Sequence, residues 1–526
     1  MTGAFSYLRK VLAVGLTAAF CTDAGQADPM RPFSIWLAQP YDVAVPLTAS
    51  IYMPEISRAL RATPPPPRSR FNVQITHRKL SGSVPHQLLN RVRDLPAYGG
   101  EARGIAAIHL TGGSTDLRTL ATQPSVRPYL RCAETRCTLT APLLVAEGAA
   151  LSIDGVRLDL VQDTGALLGN HGTLYIRNSH IEAVLPRLTE LRPEERDFRP
   201  FIAGLEGSTT QLIGSTFVNL GFSGSSAYGV SISARKGERA PTGMLIGNVF
   251  EGLYYGFYSH HAHNIAIVDN LYRDNIVYGI DPHDYSHHLW ILGNRAYGTR
   301  KKHGIIISRG VTDSVIAMNR SHDNARAGIM LDRHSSNNLV IYNHTWRNAY
   351  DGIAIYESSG NLIAHNTGAE NGKTGLRIRN SADLIVAHNY FTGNQTGIKA
   401  YTGRPNGFQR KDEDIYTMEV TARMVGNTVT GNHREDMSIK GCISRIVFAE
   451  DFGNQPGFTT RTVTFGGEQQ WRAMLDRVAE ITRGHLDVNY TCPATLVRPA
   501  VERAAREARQ AERLRVLAAE QATLRQ

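Results

Sequence analysis

A glycine followed by an apolar residue recurs at Gly256, Gly279, Gly304, Gly328, Gly352, Gly375 and Gly397, at gaps of 23, 25, 24, 24, 23 and 22 residues. A second column keeps step with it, an asparagine closing an apolar run: Asn248, Asn270, Asn294, Asn319, Asn343, Asn366 and Asn389. Self-similarity at a short fixed period means stacked units that bury their apolar side only against one another. These units are too short for tetratricopeptide or ankyrin repeats and are rich in β-branched residues. They predict an all-β chain, a right-handed parallel β-helix with 22–25 residues per rung.

Alignment on the glycines separates inside from outside, because strand side chains alternate between faces. One position on stand Phe257, Ile280, Ile305, Ile329, Ile353, Leu376 and Ile398, and three positions on stand Ile307, Leu331, Ile355 and Ile378. These two columns are the expected interior. The outward columns are Tyr258, Asp281, Ile306, Met330, Ala354, Arg377 and Lys399, then His260, His283, Ser308, Asp332, Tyr356, Arg379 and Tyr401. Just beyond them lie His261, Asp284, Arg309, Arg333 and Glu357. A stripe of ionisable groups thus follows one face of a rigid stack, as a functional site requires. The asparagine column reads as a structural ladder, since asparagine tolerates turns and its amide can bond the next rung.

The chain has 526 residues, 42% apolar and 20% charged, which rules against wholesale disorder and leaves room for two domains. Arg9 and Lys10, the apolar run 11–20 and the small residues Gly25 and Ala27 read as a secretory signal at 1–27. That run is too short to span a bilayer, and no transmembrane segment is expected after cleavage. Cleavage removes two cations and one anion, taking the net charge from +10 to +9. A basic exported chain suits an anionic partner. Nucleic acid is not expected, for no helix-turn-helix or zinc-finger spacing is present. The remaining Cys132, Cys137, Cys442 and Cys492 are an even set, expected to pair as Cys132–Cys137 and Cys442–Cys492.

Taken in order, 28–138 reads as an N-terminal region and lead-in, and 139–450 as the solenoid with its groove. A charged insertion at 187–199 and a polar loop at 403–418 interrupt the periodicity. The last stretch, 451–526, reads as a capping region and an Arg/Ala-rich helical tail. Within it Trp471, Met474, Leu475, Val478 and Ile481 fall at helical spacing, suiting a helix that covers the open end.

The densest polar cluster is YGIDPHD at 278–284, followed one rung later by TRKKHGIIISR at 299–309. Neighbouring strands lie about 4.8 Å apart, so His283 and Arg309 can meet at one small ligand. Asp281 shares the outward face with His283, and Tyr278 lies just before the same strand. Abstraction of a proton beside a carboxylate needs such a set: a cation to neutralise the charge that builds, and a base near neutral pH. The planar fork of arginine suits the carboxylate, and a linear polyuronate offers one on every sugar. His283, Arg309, Asp281 and Tyr278 are therefore the catalytic candidates. Asp284, His260, Lys302, Asp332, Arg333, Tyr356, Arg377 and Arg379 are the candidates for substrate binding. The plainer reading, a surface histidine beside a solvated basic stripe, stands against this for each residue alone. His260–His263, or Asp281 with His283, lacks any established ligand spacing, so neither metal nor other cofactor is expected.

YGIDPHDYSHH followed by RKKHGIIISR on a rung repeat resembles the periplasmic AlgG-type mannuronan C5-epimerases of alginate-producing bacteria, best over 211–401. The resemblance implies conversion of mannuronate to guluronate within the polymer. It implies His283 as base, Arg309 as neutraliser of the carboxylate and water as the acid on the opposite face. It also implies a periplasmic location and a scaffold role in an envelope export complex. The calcium-binding GGxGxD repeats of the secreted modular epimerases are absent. Two other readings stay open. A polyuronate lyase would share the carbanion-like intermediate, with Tyr278 or Tyr285 protonating the leaving oxygen. A non-catalytic sleeve guiding exported polysaccharide would need the basic stripe but not His283.

Overall fold

The computed structural model describes residues 35–37, 65–78, 105–184, 198–223, 227–403, 420–440, 445–449 and 463–465. The readings of a signal at 1–27, a Cys442–Cys492 bridge, a helix at 468–483 and a helical tail lie outside these residues. So do most of the insertion at 187–199 and of the loop at 403–418.

The described chain is a parallel β-helix of about 10 turns. Each rung gives one strand to each of three parallel sheets. The rung of the polar cluster is Tyr278–His283, His287–Leu292 and Arg295–Tyr297, and the next is Ile305–Ser308, Val315–Ala317 and Arg320–His322. The sheet holding Tyr278–His283 is called the groove sheet below. Its register is the one the glycine alignment predicts: His260 pairs with His283, His283 with Ser308, Ser308 with Asp332, Asp332 with Tyr356 and Tyr356 with Arg379. The first stacked strand, Ile105–Asp116, falls in the stretch read as the lead-in. Nearby, the antiparallel pair Leu130–Ala133 and Arg136–Leu139 carries the Cys132–Cys137 disulfide.

The interior columns are fully buried, with Ile280, Ile305, Ile329 and Ile353 at 0% exposure. Burying each contributes about 1.5–3 kcal/mol relative to leaving it in water. The glycine column follows from the closeness of the rungs. A Cβ on Gly256 would stand 2.4 Å from the Gly279 carbonyl oxygen, and one on Gly279 2.5 Å from that of Gly304.

The asparagines form the expected ladder. Nδ2 of Asn294 donates to Oδ1 of Asn319 at 3.0 Å, Asn319 to Asn343 at 2.9 Å and Asn343 to Asn366 at 3.0 Å. Each Nδ2 also caps a backbone carbonyl, as Asn343 does for Ile316. A second ladder, Asn324–Asn348–Asn371–Asn394, runs at another corner. Buried amides in register thus satisfy the polar groups that the turns leave inside. On its outer side the second sheet carries a separate buried apolar layer, including Trp290, Leu292, Val315, Ile341 and Leu362.

Candidate active site

Successive side chains of a strand point to opposite faces, so neighbours in sequence seldom touch. The groove sheet breaks that rule at its edge. In six successive rungs the residue after the strand's last outward side chain has a left-handed backbone: His261 φ 46°, Asp284 φ 32°, Arg309 φ 60°, Arg333 φ 45°, Glu357 φ 51° and Asn380 φ 47°. Side chains other than glycine adopt this conformation at a cost of about 1–2 kcal/mol. The kink sets consecutive side chains against each other. Nδ1 of His283 lies 2.9 Å from Oδ2 of Asp284, and Nε of Arg333 lies 2.8 Å from Oδ2 of Asp332.

Asp284 is the hub of the catalytic candidates. Besides His283, its carboxylate faces His260 Nε2 at 3.5 Å and Arg309 Nε at 3.5 Å. The contact with His283 is close but bent away from ideal hydrogen-bond alignment. Burial favours the neutral acid at Asp284, yet His283, His260 and Arg309 outweigh it and hold the carboxyl at about 2. Burial likewise disfavours the His283 imidazolium. Asp284 and Asp281 overcome this, so the His283 pKa is raised above 6.5.

Asp281, two residues earlier on the same outward face, is only 2% exposed, and its Oδ1 has no hydrogen-bond partner among the described residues. Burial pushes its carboxyl up to about 7, against the pull of His283, Lys302 and Arg333. At the other end of this strand, Lys302 Nζ donates to Tyr278 Oη at 3.1 Å. Burial, with Asp281 and Asp332 nearby, raises the Tyr278 pKa.

These groups line an open cleft of about 570 Å³. Its floor is formed by Tyr258, Asp281, Ile306, Met330 and Arg377 of the outward column. One edge carries His283, Asp284, Ser308, Asp332, Arg333 and Tyr356. Ser308, the register partner of His283, is small and leaves space beside the imidazole. His260, Arg309 and Arg379 are not among the lining residues. The Arg309 side chain is 11% exposed and reaches the cleft's edge through Asp284, its Nε 3.5 Å from Oδ1.

The basic stripe is matched by acids. Arg333 pairs with Asp332, Arg377 with Asp351 at 2.7 Å and Arg379 with Glu357 at 2.8 Å. Sequence reasoning missed Asp351, Tyr255, His303, Arg326 and Tyr350, all of which line the opposite edge. Their signal was present. Tyr255, Tyr278, His303 and Asp351 each stand immediately before a column glycine, and Lys302, Arg326 and Tyr350 one position earlier. Tyr285 is 39% exposed and stacks on His261 away from the cleft lining.

Residues 213–433 match a family described as periplasmic copper-binding protein (NosD). The copper of that description finds no ligand set here. Among the described residues no group of three or more His, Cys, Asp or Glu side chains is arranged to hold a metal ion. The mannuronan C5-epimerase of Pseudomonas putida is 41% identical over 265 residues, which are 48% of this chain and 51% of that protein. The mannuronan C5-epimerase AlgG of Azotobacter vinelandii is 38% identical over 265 residues, 48% of this chain and 50% of that one. The chain thus spans about half the length of these curated relatives. A crystal structure of the periplasmic alginate epimerase AlgG superposes with a TM-score of 0.68 at 29% identity, over 82% of this chain and 99% of that one. Over about half its length, then, the chain is similar to proteins named mannuronan C5-epimerase, and it shares the fold of the periplasmic alginate epimerase AlgG.

Proposed function

We propose that this protein is a mannuronan C5-epimerase, converting β-D-mannuronate to α-L-guluronate within a polymer. The observation that carries the proposal is the His283–Asp284 pair at the cleft. Nδ1 of His283 is buried against an ionised carboxylate, which leaves Nε2 without a partner among the described residues. Asp284 accepts the Nδ1 proton and so fixes the tautomer whose Nε2 lone pair can take a proton. The likeness to named epimerases supports the choice of substrate.

In this reading Nε2 removes H5 of a bound uronate, and the C–H electron pair moves into the carboxylate as an enediolate. The added charge is met by Lys302 and Arg309 and by Asp281, whose carboxyl near pH 7 can hold a proton and donate it in a hydrogen bond to the sugar's carboxylate. A proton returned to C5 from the opposite side, by water or by Tyr278, gives the inverted centre. Tyr278, at the other end of the strand from His283, stands roughly 16 Å of backbone away, on the opposite edge of the cleft. The flanking residues Asp332, Arg333, Tyr356 and Arg377 would meet the neighbouring sugars.

A periplasmic location belongs to the same proposal. It draws on the periplasmic epimerase of like fold and on the Cys132–Cys137 disulfide, which suits an oxidising compartment. A place in an export complex is a further part of it. Among the described residues no helix is long and apolar enough to cross a membrane.

The test is proton NMR of polymannuronate incubated with the purified protein in deuterated water. Guluronate carrying deuterium at C5 is expected, and His283→Asn should bind polymer while losing nearly all turnover. Unsaturated chain ends would instead mean a lyase. Polymer recovered with neither change would leave the guiding sleeve.

A further inference from the structure

We propose that His303 is a fixed, neutral hydrogen-bond donor to an acceptor oxygen of the bound uronate, on the edge of the cleft opposite His283. The inference rests on the epimerase reading and deepens it, because no role in the reaction given above uses this side chain.

His303 lines the cleft from the position just before Gly304. The backbone amide of Ala327 donates to its Nδ1 at 3.2 Å. An amide can only donate, so Nδ1 must be the unprotonated nitrogen and Nε2 must carry the hydrogen. Among the described residues no group accepts from Nε2, while the ring itself lies parallel to Tyr278, centroids 5.9 Å apart and planes within 7°. The backbone contact and the stacked ring together fix the plane in which the N–H points.

The surroundings also keep this imidazole from becoming a cation. Burial, then the Lys302 and Arg326 charges beside it, lower its pKa to about 3. The two histidines of the cleft therefore have opposite properties. His283 is held by a carboxylate that raises its pKa, whereas His303 is held by an amide and presents one unchanging N–H. Such a donor can grip a hydroxyl or carboxylate oxygen without adding charge. It orients the sugar between the two edges, with C5–H towards His283.

Two substitutions and one spectrum test this. His303→Phe keeps the ring stacked on Tyr278 and removes the donor. It is expected to lower kcat/KM on polymannuronate by about ten-fold, the worth of one hydrogen bond. His303→Gln supplies an acceptor for Ala327 and a donor for the sugar, and is expected to restore most of that loss. The pH–rate profile should keep the parent's shape in both, since His303 does not titrate where the enzyme works. Ring-nitrogen NMR of the parent should show His303 protonated at Nε2 alone, unchanged from roughly pH 5 to 9. If His303→Phe unfolds at assay temperature, His303→Gln and the spectrum decide. A parent active on polymannuronate with His303→Phe equal to it would overturn this inference alone, as would a His303 that titrates near neutrality. A parent inert on polymannuronate would overturn the epimerase reading and this inference with it.

Discussion

Asp284 follows His283 directly in sequence and still places its Oδ2 2.9 Å from the His283 Nδ1, because its own φ of 32° folds the chain back at the strand's end. Asp284→Asn tests what that contact does. Loss of the carboxylate removes the chief cause raising the His283 pKa and leaves Arg309 facing the imidazole without its acid. The acid limb of kcat/KM should therefore move to lower pH. The plateau should fall by about 100-fold or more, because the imidazole loses the partner that fixes its tautomer.

The same pair sets a stability window. Asp284, held at about 2, contributes stability above its ordinary 3.8, lost as pH falls through about 2. His283, raised, contributes stability that is full below 6.5 and lost as pH rises through its folded value. The melting difference between parent and Asp284→Asn should be widest between roughly pH 4 and 6.5. A difference independent of pH would separate the two residues energetically.

Polymer binding should consume protons. Arg333 and Arg377 each face a buried carboxylate, and burial raises the pKa of both Asp332 and Asp351 despite those partners. A sugar carboxylate entering beside them adds a second anion to each arginine, which favours protonation of the first. Affinity for polymannuronate should accordingly rise as pH falls from neutral. Calorimetry in two buffers of different ionisation enthalpy should register proton uptake. Asp351→Asn, which leaves Arg377 unmatched, should tighten binding several-fold at neutral pH and reduce that uptake. Weaker binding by Asp351→Asn would mean that Asp351 itself contacts the polymer.

Arg309→Lys separates charge from geometry. Lysine keeps the cation near Asp284 but not the planar fork. The expected result is a fall in kcat of about 10–100-fold with the dissociation constant little changed, because the interaction matters most once the enediolate has formed. A kcat equal to the parent's would leave Arg309 a purely structural partner of Asp284.

The rung register was legible because its cause is local and repeated. Each Gly–Ile step carries its own close approach and its own buried side chain, so Ile305, Ile329 and Ile353 align without any long-range information. Asp281 and His283 on one outward face followed from the same alternation. The pairing of arginines with acids did not. Asp351 precedes its strand while Arg377 lies within the next, and only the folded cross-section of a rung brings those columns together. Nor does alternation foresee the left-handed residue that ends the Tyr278–His283 strand, which is why Asp284 read as a substrate contact and not as the partner of His283. The electrostatics of Asp281 likewise draw on other rungs, with Lys302 and Arg333 opposing the upward push of burial on its carboxyl.

The ladder offers the sharpest test of the fold itself. Asn343 Oδ1 accepts from the backbone N–H and the Nδ2 of Asn319, both at 2.9 Å, while its own Nδ2 donates to the Ile316 carbonyl and to Asn366 Oδ1. Asn343→Ala takes away the acceptor of the Asn319 N–H and one partner each from Asn319 Nδ2, which keeps the Ile291 carbonyl, and from Asn366 Oδ1, which keeps the residue-343 N–H, in a site where Asn319, Asn343 and Asn366 are at most 1% exposed. An unsatisfied buried donor costs about 1–3 kcal/mol, and each further hydrogen bond lost adds about 0.5–1.5 kcal/mol. A loss of about 3–5 kcal/mol is expected, read as a lower denaturant midpoint. Because rungs are coupled through neighbours, the loss should also loosen amide-exchange protection in the rungs on both sides, including the strands that carry Ser308 and Tyr356. Exchange changed only at Asn343 would mean that the ladder decorates the stack without bracing it.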